Sequence, residues 1–102
     1  MKEDIFKFLI HHALMPSYTC GIPLPSTYLS TKFNISQYKC KRILHELRDE
    51  GLIEVIRGGY YDDWYGKNYL YCGWYITEKA KITDIYKHEE QRIDEILREN
   101  NL

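Results

Sequence analysis

The segment from residue 37 to residue 50, QYKCKRILHELRDE, constrains the fold more than any other part of the chain. At about 100° per residue, Cys40, Ile43, Leu44 and Leu47 fall in one narrow arc. Tyr38, Lys41, Arg42 and His45 fall on the opposite side. Such a helix buries one side and keeps the other in water, so other elements must cover the arc. Ser36 suits its N-cap. Gly51 suits the residue just past its end, and Leu52 and Ile53 return the chain to the core.

The flanking segments supply those elements. Residues 4–15, DIFKFLIHHALM, read as a helix that is apolar nearly all round and buried on more than one side. Pro16 ends it, and residues 16–25 hold all three prolines in a loop with a short extended piece at 21–24. Ser26 is the expected N-cap of a short helix over 27–33, and Asn34 suits a left-handed turn. Residues 52–57 and 69–77 read as the strands of a hairpin with a long loop. In the second strand Leu70, Cys72, Trp74 and Ile76 share one face, and Tyr69, Tyr71 and Tyr75 the other. Thr77 caps a final helix over 78–100. Its stripe of Ile82, Ile85, Tyr86, Ile93, Ile96 and Leu97 is interrupted only by Glu89. That stripe implies a seam between two copies of the chain, with folding back onto its own domain as the alternative. Glu89 would then pair with a base of the other copy or lie at the solvated edge.

A chain of 102 residues fits one domain. No apolar run is long enough to span a bilayer, and the N-terminus, with Glu3 and Asp4, lacks a secretory signal pattern. The expected compartment is the cytoplasm. Cys20, Cys40 and Cys72 form no C-x-x-C pair; Cys40 and Cys72 are expected as reduced core thiols. Neither a metal site nor a cofactor is expected. No paired carboxylates, phosphate loop or nucleophile–base pair is readable, so enzymatic activity is not expected either. His11 and His12, adjacent on one helix, face different directions as surface or interface residues. Net charge is −1, but residues 26–45 carry Lys32, Lys39, Lys41 and Arg42 and no acid. A local basic patch can steer toward phosphate on a neutral chain.

The order helix, helix, helix, hairpin, helix resembles the winged helix-turn-helix regulators. Leu24-Pro25-Ser26 followed by Leu29, Phe33, Asn34, Ile35 and Ser36 is similar to the L-P-S…G-V-S stretch of GntR-type domains. LHELRDEGLI, residues 44–53, resembles the L-x-x-L-x-x-E-G-L-I signature of many winged helices. YITEK, residues 75–79, is similar to the Y-x-L-T-E-K-G that ends the wing in PadR- and MarR-type regulators, with Ala80 in the place of that Gly. The resemblance covers residues 23–81. It implies an α+β fold: a three-helix core, a β-hairpin wing and a C-terminal helix. The helix-turn-helix and wing would occupy 1–77 and a dimerisation helix 78–102.

The same resemblance implies a homodimeric transcriptional regulator that binds double-stranded DNA. The helix over 37–50 would enter the major groove, with Gln37, Tyr38, Lys41, Arg42 and His45 near base edges. There Gln suits adenine, and Lys or Arg suits guanine. Lys32 and Lys39 would take phosphates, joined by Arg57 and Lys67 from the wing. Residues 60–75 hold eight of the chain's ten Tyr and two Trp. These serve strand formation, a protein partner or dimer surface, or stacking on a small-molecule effector or on bases. The alternative function is a protein-interaction winged helix that uses this Tyr-rich hairpin without touching DNA; a third class is an enzyme accessory or replication-initiation module.

Overall fold

The amphipathic segment is a helix in the computed structural model, which describes residues 1–15 and 23–100, Asn100 by its backbone alone. The elements are α1 (Lys2–Leu14), α2 (Ser26–Lys32), α3 (Gln37–Asp49), β1 (Ile53–Asp62), β2 (Lys67–Ile76), a 3₁₀ turn (Lys79–Ile82) and α4 (Asp84–Asn100). The architecture of the described residues is α+β, with four α-helices and one antiparallel two-stranded hairpin.

Both ends of α3 are fixed by local hydrogen bonds. Ser36 Oγ accepts the Lys39 amide at 3.1 Å, satisfying a donor that the helix leaves orphaned. At the other end Gly51 adopts φ +79°. Its amide bonds Arg48 O at 2.8 Å, and the Leu52 amide bonds Leu47 O at 3.0 Å, a Schellman stop that needs a residue tolerant of positive φ. Asn34, at φ 53°, turns the chain between α2 and α3. Ser26 does not cap α2. It lies within the first turn, and Pro25 holds the N-cap position with no side-chain bond, because its fixed φ already suits a helix entrance.

Ile5, Leu9 and Ile10 of α1 pack with Leu29 of α2, the Cys40–Ile43–Leu44–Leu47 arc of α3, and Ile53, Trp74 and Ile76 of the hairpin. Cys40 is a buried thiol whose pKa is raised by burial. Leu24 joins the sheet by one bridge: its amide bonds Trp74 O at 3.1 Å and its carbonyl accepts the Trp74 amide at 2.7 Å. Gly73 permits this approach, since a Cβ there would stand 2.6 Å from the Pro23 carbonyl carbon. Cys20 and the first half of the expected extended piece, residues 21–22, lie outside the described residues.

The hairpin is longer and its loop shorter than the sequence implies. Pairing runs without interruption from Ile53↔Ile76 to Asp62↔Lys67, leaving only residues 63–66 as loop. Gly58 and Gly59 do not end β1. The Tyr71 ring lies across Gly58, where a Cβ would stand 2.3 Å from its Oη. Asp62 Oδ1 shapes the loop by accepting the Trp64 and Tyr65 amides at 2.8 and 3.2 Å. Of the face assigned to the core, only Trp74 and Ile76 are buried. Leu70 is 90% exposed, and Cys72 is exposed rather than a core thiol. Both lie further from the base of the hairpin than Trp74 and Ile76.

The C-terminal segment is not one helix. Thr77 caps the 3₁₀ turn, its Oγ1 accepting the Ala80 amide at 3.3 Å. The chain then breaks at Thr83, whose own hydroxyl accepts the Tyr86 amide at 3.2 Å and starts α4. α4 packs along α1. Tyr86 and Ile93, expected in a seam between copies, are buried within this chain. Ile85 and Leu97 are half-buried, and Ile82 (70%) and Ile96 are exposed. Glu89, 1% exposed, also finds its partners inside the chain: His11 Nε2 on α1 lies 2.5 Å from its Oε2, Arg92 lies at 3.7 Å and His88 at 3.8 Å. Burial pushes the Glu89 carboxyl up, but the His11 hydrogen bond and the charges of Arg92, His11 and Lys7 hold it below its ordinary value.

This pair sets a pH dependence. A carboxylate with a lowered folded pKa stabilises the fold above its unfolded value, about 4.5, and that stabilisation fades as pH falls through the lower folded value. Thermal melts between pH 3 and 7 should therefore show a smaller stability difference between wild type and Glu89→Gln at the acid end. His11→Ala at pH 7 should cost about 1–3 kcal/mol, because it removes a partner from a buried carboxylate.

Candidate nucleic-acid interface

The core arc of α3 leaves its other side in solvent. Gln37, Tyr38, Lys39, Lys41, Arg42 and His45 are all exposed, Tyr38 at 78%. The charge on this side is graded along the helix. Lys39, Lys41 and Arg42 stand in the N-terminal half, and Glu46, Asp49 and Glu50 gather at the C-terminal end. The acid end is partly neutralised by bases from nearby: Lys2 pairs with Glu50 at 2.8 Å and Arg48 with Asp49 at 3.3 Å. Among the described residues, none of Lys39, Lys41, Arg42, Arg57 and Lys67 forms an ion pair. Lys7, Lys81 and Arg92 do. The unpaired bases therefore keep their donors for another partner.

His45 joins this face to the hairpin, since its ring lies 6.0 Å from that of Trp74. Side chains alternate along a strand, and paired residues share a face. Trp74, Cys72, Leu70, Val55 and Arg57 thus stand on one side of the hairpin, with Arg57 opposite Cys72. Arg57 stands on the side of the hairpin that Trp74 presents to His45. Lys67 does not. It stands on the other side, opposite Asp62.

Two further expected contacts are held elsewhere. The Lys32 ammonium lies 5.3 Å from the centroid of the Phe8 ring, in a recess lined also by Lys7, His11, Glu89 and Arg92. A cation over an aromatic face is attracted by the ring, and this draws Lys32 toward α1 and α4. Gln37 Nε2 donates to Ser30 Oγ of α2 at 2.8 Å. Neither partner is visible in the sequence pattern.

The distal hairpin carries a second exposed surface. Tyr60 and Tyr69 stack across the strands at 5.5 Å, Tyr61 and Leu70 are exposed on the opposite side of the hairpin, and Trp64 (88%) and Tyr65 are exposed in its loop. Among the described residues, no group of three or more His, Cys, Asp or Glu is placed to hold a metal ion, and no helix is long and apolar enough to cross a membrane.

No family model, curated protein or solved structure matches this chain.

The outward side chains of α3 carry little packing. Arg42→Ala should leave folding stability within about 0.5 kcal/mol of wild type, the usual range for exposed positions. Trp74→Ala removes a buried ring that packs in the core and lies against His45, and should cost about 3–5 kcal/mol. Denaturant titration of both variants checks the contrast, and equal losses would mean that Arg42 is structural.

Proposed function

We propose that this chain is a small winged helix-turn-helix protein that binds double-stranded DNA as a transcriptional regulator, acting by binding and not by catalysis. The observation that carries this reading is the N-terminal half of α3, where Tyr38, Lys39, Lys41 and Arg42 are exposed and the bases lack acid partners among the described residues. An α-helix fits the major groove, and its first turns reach base edges. α2, the Asn34 turn and α3 correspond to the helix-turn-helix, and the hairpin corresponds to the wing. Arg57 lies where a wing could meet phosphate. The stretches that resemble winged-helix sequences, around Gly51 and Thr77, support the same reading.

Fluorescence anisotropy with a duplex selected from a random library tests it. Lys39→Ala should weaken binding to all sequences alike and lower the slope of log affinity against log salt by about one. Lys41→Ala/Arg42→Ala should weaken binding to the selected duplex by roughly ten-fold or more and relax its sequence preference. The exposed hairpin aromatics favour a second reading, a protein partner. That reading becomes the better one if the double variant binds the duplex as tightly as wild type.

We also propose a homodimer built on Ile82 and Ile96, apolar side chains of the C-terminal stripe that stand exposed. Ile82→Asp/Ile96→Asp should sediment as monomer with native circular dichroism. A variant that stays dimeric moves the contact elsewhere.

A further inference from the structure

The anchoring of Gln37 restricts which bases α3 can read. Ser30 is buried on α2, and its hydroxyl donates to the Thr27 carbonyl at 3.0 Å. The oxygen then has only lone pairs for a second partner. That partner is Gln37, 2.8 Å away, and it has to present an N–H. The amide is thus oriented with Nε2 held against α2 and Oε1 turned away. Helix geometry agrees. Gln37 precedes Leu44 by seven residues, which is close to two full turns, so both project in nearly the same direction. Leu44 is fully buried, which puts Gln37 at the border of the core and not at the centre of the outward face.

Reading adenine takes both amide atoms at once: the oxygen accepts from N6 and the nitrogen donates to N7. A nitrogen anchored to a buried hydroxyl does not enter the groove for this purpose. The Lys41 ammonium and Arg42 guanidinium carry donors only. Guanine, whose major-groove edge offers two acceptors at O6 and N7, is the base they match. Resting on the DNA-binding reading above, we infer that α3 reads guanine through Lys41 and Arg42, while Gln37 is a positioning residue that pins α3 to α2 and does not read adenine.

Base analogues in the selected duplex test this. 7-Deazaguanine removes the guanine N7 acceptor without disturbing base pairing, and 7-deazaadenine does the same for adenine. Replacing half-site guanines should weaken binding of the wild-type chain by about five-fold or more. Replacing adenines should change it by less than about two-fold. Gln37→Ala should lower affinity for all sequences alike and leave the preferred bases unchanged. A five-fold loss with 7-deazaadenine, or none with 7-deazaguanine, overturns the inference. So does a shift of base preference in Gln37→Ala. The analogue arms use wild-type protein, so they decide even where Gln37→Ala folds poorly. If no duplex binds above background at low salt, the DNA-binding reading itself fails and takes this inference with it.

Discussion

The C-terminal end of α3 ties together two parts of the chain that lie 26 residues apart. Thr77, arriving from β2, donates its hydroxyl to the Gly51 carbonyl at 2.6 Å, and its amide bonds Leu52 O at 3.0 Å. Lys79 Nζ reaches the Glu50 carbonyl at 2.9 Å. Carbonyls that a helix end would leave to water are satisfied by the strand that closes the hairpin. The hairpin therefore leaves from and returns to one point, and its direction relative to α3 is set there. Trp74 against His45 adds a second contact further along. The placement of the exposed α3 side chains relative to Arg57 depends on this junction, although none of them belongs to it.

The junction also gives a physical basis for two stretches that stand out in the sequence. The glycine of D-E-G-L is required by the positive φ of the stop, and the threonine of I-T-E-K caps the next turn while bonding back to that glycine. Such local devices were legible because they depend on residue type at fixed spacing. The buried arc of α3, the Ser36 cap and the Asn34 turn belong to the same class. Depth and partnership were not legible. Alternation along β2 assigns Leu70 and Cys72 to the side that Trp74 presents to the core, but it carries no information on how far the hairpin projects past the helices. The α4 stripe shows a buried side without saying what buries it, and α1 covers its middle. Of the candidate site, the exposed positions on α3 followed from periodicity. Lys32 and Gln37 are engaged by Phe8 and Ser30 within the chain, and no spacing rule links those pairs.

The balance of charge on this chain is a matter of placement. A net charge of −1 conceals a helix whose first half carries bases without acid partners among the described residues and whose last turn is acidic. The helix dipole adds a partial positive charge at the same N-terminal end. An anionic partner would be drawn toward the first turns of α3 and repelled from its end, which fixes orientation as well as attraction.

Tyr86 and Ile93 are buried within one chain, on the helix that packs along α1. Glu89 ties the same two helices together, since pulling α4 away from α1 would strand a carboxylate that is nearly free of solvent. The contact is thus costly to open in part: separating the helices loses apolar burial and leaves an unpaired charge in one step.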